Sequence, residues 1–395
     1  MVTESPFLLV KLECPVCKTI NEFEQIKVGA YVEEARDTDF CPTEIRWRSP
    51  KYDAYNPLVF FTATCSNCCY TRELTSNYRE WKSDNAFRAY RLKTIKAKHL
   101  EVLSTADSVV RQLGEHIDIQ RYPNESAILK LLLAAFDEQL AEHPSLLDLG
   151  RFYLRIGWVF RGLEGGKNTG QMFLAGLVRE LTMKYETVQS AVEHSRQSLD
   201  GLNAGLKAHF DSGHQIPAEI QSQMLSFRDR YEADVKSLGE TIGSTESKLQ
   251  VFAELLNEYR STVLGESSGD GTIAFGKHES LTSFLRQLEP VWNGIAASES
   301  EALEHAIYYY KKAYASGKDI AAGPQQIQAG YLIAELSRRI GDYDEARQFF
   351  TTTIKAGQEF IYQNRRDQSR TALARKILEL AIEQGRINMA AAKSA

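Results

Sequence analysis

The hydrophobic period of the chain changes as it is read from the N-terminus. "EFEQIKV" and "LVFFTAT" carry alternating positions and many β-branched and aromatic residues, which predicts short strands. The turn-rich stretch "SPKYDAYNP" precedes the second of them. From about residue 76 onward a helical period takes over. "NAFRAYRLKTIKAKHLEVLSTADSVVRQL" predicts one amphipathic helix, and "ESAILKLLLAAFDEQLAEHP" a second, stopped by Pro144. In "SLLDLGRFYLRIGWVFRGL", Leu149, Tyr153, Ile156, Gly157 and Phe160 recur at helical spacings.

Residues 171–265 follow a different rule. Leu174, Val178, Leu181, Tyr185, Val188, Val192, Ser195, Leu199, Leu202 and Leu206 form a heptad seam whose one polar member is Ser195. After "DSGHQIP" a second seam runs through Ile220, Met224, Phe227, Tyr231, Val235, Leu238, Ile242, Thr245, Leu249, Phe252 and Leu256. Its step from Phe227 through Tyr231 to Val235 is a stutter that relaxes the supercoil locally. Two seams joined by a short polar turn predict an antiparallel coiled-coil hairpin, roughly 50–60 Å long. Beyond it, "EALEHAIYYYKKAYASG" and "AGYLIAELSRRIGDYDEARQFFTTTIKAG" return to the earlier style. The latter fits a tetratricopeptide unit, with Leu332, Ala334 and Leu336 on its first helix and Ala346 and Phe350 on its second. "QSRTALARKILELAIEQG" suits a C-terminal cap.

Composition narrows the class only a little. With 43% hydrophobic and 25% charged residues, the 395-residue chain has the make-up of a globular protein of two or three domains. A net charge of −5 gives no global reason to expect an anionic partner. No run approaches the ~18 apolar residues of a membrane span. The start, "MVTESPFLLVKLECP", lacks the basic n-region and the length of a secretory signal, so a cytoplasmic protein is expected.

Cysteine placement is the sharp feature. All six cysteines (14, 17, 41, 65, 68 and 69) lie in the first 69 residues. Cys14 and Cys17 form one C-x2-C pair, and Cys65 and Cys68 form another after 47 intervening residues. Two such knuckles can bring four thiolates into a tetrahedral set, and zinc is the ion such a set most often holds. Pro15 presets φ for the first knuckle, and Ser66 and Asn67 are turn formers in the second. A redox pair would need a βαβ setting, which neither knuckle has; inert buried thiols are the plainest alternative. One structural Zn2+ per chain is therefore expected on Cys14, Cys17, Cys65 and Cys68. Cys41 is expected as a free buried thiol, and Cys69 to pack or face solvent.

These patterns give an expected fold class that is mainly α. A small zinc-stapled β module (residues 1–75) leads into a first set of helical repeats (76–168) and an inserted antiparallel coiled-coil hairpin (169–265). A loop and connecting helix (266–298), tetratricopeptide-like repeats (299–360) and a capping helix and tail (361–395) follow.

"CPVC", the run "RDTDF" (Arg36, Asp37, Asp39), "NPLVFF" (Asn56, Pro57) and "CSNCCY" resemble an uncharacterised bacterial family. Its members open with CPxC, an R-x-x-D element, an N-P turn and CPxCGY, and continue into tetratricopeptide-like helices. The resemblance implies the zinc module and brings no activity. Here Cys69 replaces the family glycine and Ser66 the family proline, so a positive-φ position in the second knuckle carries a side chain.

No catalytic or cofactor-binding residue emerges. "GLEGGKNTG" (162–170) departs from the phosphate-loop pattern, with Arg161 where the first glycine belongs and Asn168 where Ser or Thr should hold magnesium. "GESSGDG" is a Gly/Ser loop, and His305 is expected to pack or face solvent beside aromatics. The chain is expected not to be an enzyme. Residues 71–99 hold eight Lys/Arg, including Arg72, Arg79, Arg88, Arg91, Lys93, Lys96 and Lys98, against three acids. Taken with Tyr70, Tyr78 and Trp81 as exposed aromatics, this segment offers a nucleic-acid face as the alternative function; a solvated helix face is the simpler account. The leading expectation is an interaction or assembly scaffold that binds protein partners through its helical repeats and its hairpin.

Overall fold

The computed structural model describes residues 5–49, 52–53, 55–164, 169–212, 217–263 and 275–393. The chain is mainly helical, with small antiparallel sheets near the N-terminus. It divides into two compact units. One comprises Met1–Arg48, Tyr55–Gly170 and Asp270–Ala395; the other comprises Ser49–Ala54 and Gln171–Gly269.

In the first unit, β1 (Phe7–Glu13) pairs with β2 (Ile20–Ile26) from Phe7 opposite Ile26 to Glu13 opposite Ile20. The first cysteine pair sits in the turn between them. β3 (Tyr31–Arg36) pairs with β4 (Pro42–Trp47) through an irregular register, and "RDTDF" spans their junction. β5 (Thr62–Thr64) and β6 (Thr71–Glu73) flank the second cysteine pair. The strand expected over "LVFFTAT" is only half formed. Asn56 accepts a hydrogen bond from Leu58 N–H at 3.0 Å, and Pro57 opens a 3-10 turn over Pro57–Phe60. A capping residue followed by a φ-restricted proline outweighs the β propensity of the residues after it.

The first predicted helix is also divided. A π-helical turn over Phe87–Arg91 leads into α1 (Leu92–Ser104), and α2 (Val109–Glu115) starts afresh where the Ser108 hydroxyl accepts from Arg111 N–H. α3 (Pro123–Gln139) is buried on nearly every face, because the 3-10 turn, β5, β6 and α4 all pack on it. Its apolar run has no polar side for that reason.

α4 (Leu146–Glu164) packs against α8 (Glu299–Ser316), which lies beyond the long insertion in sequence. Gly157 permits the approach: a Cβ there would lie 2.9 Å from Leu303 Cδ2. α7 (Leu281–Leu288) precedes α8. α9 (Pro324–Arg339), α10 (Tyr343–Gln363) and α11 (Gln368–Ala391) share a core of Tyr331, Ala334, Ala346, Phe350, Ala374, Ile377 and Ala381.

The loop after β3 is fastened to these helices by charge. Asp39 has no exposed surface and accepts from Arg161 Nη2 at 2.7 Å and Trp158 Nε1 at 3.1 Å. Asp37 accepts from Arg339 at 2.7 Å and Arg161 at 3.1 Å, while Arg161 also reaches Glu299 at 2.7 Å. Thr38 O accepts from the Tyr331 hydroxyl at 2.8 Å, and Thr38 Oγ1 donates to Glu335 at 2.6 Å. Arg161 therefore serves as a structural clasp. Residues 165–168 of the "GLEGGKNTG" stretch and the whole of "GESSGDG" (265–271) lie outside the described residues.

The second unit contains α5 (Thr169–Asp211) from Gln171 onward and α6 (Ala218–Val263). At 43 residues α5 is longer than its seam predicts, about 65 Å at the standard rise. The seam itself is used only in part. Val192, Leu199 and Leu206, seven residues apart, are buried, as is Val235 on α6. Leu181, Val188 and Leu202, the alternate positions of the α5 seam, are exposed. On α6, Ile220, Met224, Phe227 and Leu238 are exposed, while Leu225, Tyr231 and Ile242 are half-buried. Arg196 lies over Gly239, where a Cβ would come within 2.9 Å of its guanidinium. Ser195 donates its hydroxyl to Ala191 O on its own helix at 3.0 Å. The side chains of Leu174, Val178, Leu249, Phe252 and Leu256 lie outside the described residues.

Candidate metal centre

The two C-x2-C pairs fold into matching knuckles. In the first, Cys14 N–H donates to Thr19 O at 2.8 Å and Lys18 N–H to Cys14 O at 3.0 Å. In the second, Cys65 N–H donates to Tyr70 O at 2.9 Å and Cys69 N–H to Cys65 O at 2.9 Å. The residue after each pair is left-handed: Lys18 has φ 68° and Cys69 φ 60°. A side chain in that region costs about 1–2 kcal/mol relative to glycine. The cysteine that stands in place of the family glycine marks this position in the second knuckle; the same conformation at Lys18 has no signal in the sequence beyond its place after Cys17.

The knuckles bring four sulfurs together, all within 4.8 Å of one another. Cys14 Sγ lies 3.7 Å from Cys68 Sγ, and Cys17 Sγ lies 3.5 Å from Cys65 Sγ. Sulfurs held at ~2.3 Å from a central tetrahedral ion stand about 3.8 Å apart, so the donor set fits a thiophilic metal ion. Crowding makes the thiols unequal. Contacts with Cys14 and Cys68 hold Cys65 below the ordinary thiol range, and contact with Cys65 pushes Cys14 up to about 12. Neighbouring sulfurs raise Cys68 as well. A cation among them is what would let all four deprotonate together.

Polar side chains that the cysteine spacing did not reveal hold the cluster. Asn21, buried on β2, donates to Thr19 O at 3.0 Å and approaches Cys65 Sγ at 3.5 Å. Its Oδ1 accepts from both Ser66 N–H and Ser66 Oγ at 2.8 Å, so one amide joins the two knuckles. A proline at Ser66 would have no N–H for that bond. His99 on α1 is fully buried, with Nδ1 2.6 Å from Asp137 and Nε2 2.8 Å from Cys68 O. Burial lowers its pKa, but the Asp137 carboxylate outweighs this and lifts it to about 9. The cationic ring donates to both partners, and Asp137 also accepts from Thr71 N–H at 2.7 Å. The clue was a histidine on the apolar face of α1 and a carboxylate within the apolar run of α3.

The surrounding shell corrects one expectation. Tyr70, Tyr78 and Trp81 are buried, packed with Val16, Leu74, Phe87 and Ile95 around the sulfurs. Their rings fill the core between the knuckles and α1, so they offer no stacking platform to a nucleic acid. The basic segment is likewise partly spent on structure. Arg72 is buried with its guanidinium 4.0 Å from the Phe87 ring, Arg91 pairs with Glu138, and Arg88 donates to Lys82 O at 2.7 Å. The core includes Ile95 of α1 and Ala141 just beyond α3, so the cysteine module is continuous with the helices that follow it.

Cys41 is buried outside the cluster, 3.6 Å from Pro42 O, with burial pushing its thiol up to about 12. Cys69 packs on α2, where a Cβ at Gly114 would lie 2.2 Å from its sulfur. His305 stacks on Tyr153 with ring centroids 4.6 Å apart. No helix among the described residues is long and apolar enough to cross a membrane.

Fold and site together define a class: a mainly helical chain whose small N-terminal sheets carry a four-cysteine cluster suited to a metal ion. Residues 9–216 and 283–374 match the family described as "Uncharacterized protein conserved in bacteria (DUF2225)", and the chain belongs to that family. No curated protein and no solved structure matches it.

Proposed function

We propose that this chain is a non-enzymatic protein-interaction scaffold of the bacterial cytoplasm, built around one structural zinc ion. Zinc is the ion that four thiolates at these spacings hold best, and a site filled by four protein ligands keeps no position for a substrate or a reactive water. A reducing compartment suits free thiols so near one another. In this reading, the paired helices α9 and α10 act as a tetratricopeptide-like surface, and α5 and α6 act as a coiled-coil arm.

The observation that carries the interaction role is the unused half of the long seam. Leu181, Val188 and Leu202 on α5, with Ile220, Met224, Phe227 and Leu238 on α6, are large apolar residues in solvent, Phe227 at 64% exposure. Apolar groups repeated along an element without cover mark a contact surface more often than they occur by chance. The test is a pull-down from native lysate with the intact chain and with a Val188→Gln, Leu202→Gln, Met224→Gln, Phe227→Gln variant. The variant should keep its helicity and lose the proteins captured by the intact chain. Undiminished capture would remove the arm from the account.

A further inference from the structure

Away from the cysteines, a cavity of about 300 Å3 opens where the loop after β3 meets α4, α8, α9 and α11. Its lining mixes polar and apolar groups: Leu154, Leu332 and Ile377 are buried, Phe40, Trp158 and Tyr310 lie beside them, and Gln328 stands among them. Four cations line it, namely Arg36, Arg151, Arg155 and Lys376, and no carboxylate does.

Two of the cations are already matched. Arg36 Nε donates to Glu33 at 2.8 Å, and Arg151 lies 3.3 Å from Asp148. The other two have no carboxylate in ion-pair reach among the described residues. Arg155 is half-buried, its guanidinium 4.2 Å from the Phe61 ring, and its side chain donates to Arg151 O at 3.3 Å. Lys376 stands exposed at the rim beside exposed Leu373. Glu73 and Asp148 act on Arg155 only from beyond ion-pair distance; holding a guanidinium partly out of water without a bonded carboxylate is costly, and a ligand carboxylate would relieve that cost.

From this arrangement we infer a binding site for a short acidic peptide with apolar side chains. The cavity is at the small end of the ~300–1,000 Å3 typical of ligand sites, so it admits side chains and not a folded domain. Its unmatched charges, Arg155 and Lys376, come from two separate helices, α4 and α11, and so read two carboxylates along a chain better than one compact anion. The apolar part of the lining takes the side chains between them. This site deepens the interaction reading but shares no residue with the seam on α5 and α6.

The test is fluorescence anisotropy with the full chain and a labelled decapeptide of alternating Glu and Leu, against the same peptide with Gln for every Glu. The acidic peptide should bind about tenfold or more tightly, with the preference falling as salt rises. Arg155→Gln and, at the exposed rim where folding is not at stake, Lys376→Glu should each abolish the preference. The four-residue seam variant described above should leave it unchanged. Equal affinity for the two peptides, or an unaltered preference in Lys376→Glu, would overturn the site. Saturation by inorganic phosphate with no peptide binding would make it a small-anion site and overturn the peptide assignment.

Discussion

Around the cysteine cluster, side chains that a surface could have used are sealed inside, whereas along α5 and α6 side chains that a core could have used stand in solvent. Tyr70, Tyr78 and Trp81 pack on the sulfurs, and Asn21, His99 and Asp137 each bond across elements. On the long helices Val192, Leu199 and Leu206 are buried while Leu181, Val188 and Leu202 are not. The difference follows from geometry. A cluster of four sulfurs fixes two loops in space, and every neighbouring residue must fit around it. A two-stranded coiled coil buries both heptad positions of its seam, whereas on α5 one of the two stands exposed, so the apolar surface supplied by the period is not all used.

The contrast can be strained from the module's side. Cys14→Ser or Cys65→Ser should have the largest effect, because core residues such as Ile95 and Ala141 pack on the cluster. Thermal denaturation should lose the cooperative transition of the module and its adjoining helices, while the helicity of α5 and α6 persists in circular dichroism. A variant that melted like the parent would separate the fold from the cysteines.

Next in size is the clasp at the loop after β3. Arg161→Met leaves buried Asp39 with only the longer approach of Arg339 at 3.9 Å, and loss of the close partner of a buried pair costs up to about 3–5 kcal/mol. Urea denaturation should report that loss. A change below about 1 kcal/mol would mean the pair is solvated and worth no more than a surface bridge.

Gly114 offers a finer probe. Gly114→Ala places a Cβ against the Cys69 sulfur and should cost about 1–3 kcal/mol. In a Cys69→Gly background the clash and the left-handed strain both vanish, so the same substitution should become nearly neutral. Equal costs in the two backgrounds would show that the second knuckle is not pressed on α2.

How far the sequence disclosed all this depends on the kind of signal. The four cysteines were legible because C-x2-C spacing is itself a geometric constraint. The long helices were legible as helices, since a 3.5-residue period persists for many turns. Which half of that seam would be covered was not, because periodicity marks apolar positions without naming their partner. Tyr70, Tyr78 and Trp81 were misplaced for a related reason: beside eight basic residues they resembled a binding face, and only the tertiary packing decided otherwise. Asn21, His99 and Arg161 act through residues distant in sequence, such as Ser66, Asp137 and Asp39, which no local pattern connects.

A pH-dependent effect concerns Lys130 on α3, buried with its ammonium donating to Val59 O. Burial lowers its pKa from 10.5 to about 7, against a smaller opposing pull from Glu24. A lysine with a lowered folded pKa costs most where it is charged in both states, below about pH 7, and the cost fades as pH rises toward 10.5. Stability relative to Lys130→Met should therefore improve across that window. A difference independent of pH would place the ammonium in water.

The most direct test of the account is elemental analysis of the purified chain beside its Cys41→Ser and Cys65→Ser variants. One zinc per chain is expected in the parent and in Cys41→Ser, with none in Cys65→Ser. A metal-free parent that is nevertheless folded, or equal loss in both variants, would contradict the four-cysteine centre on which the account rests.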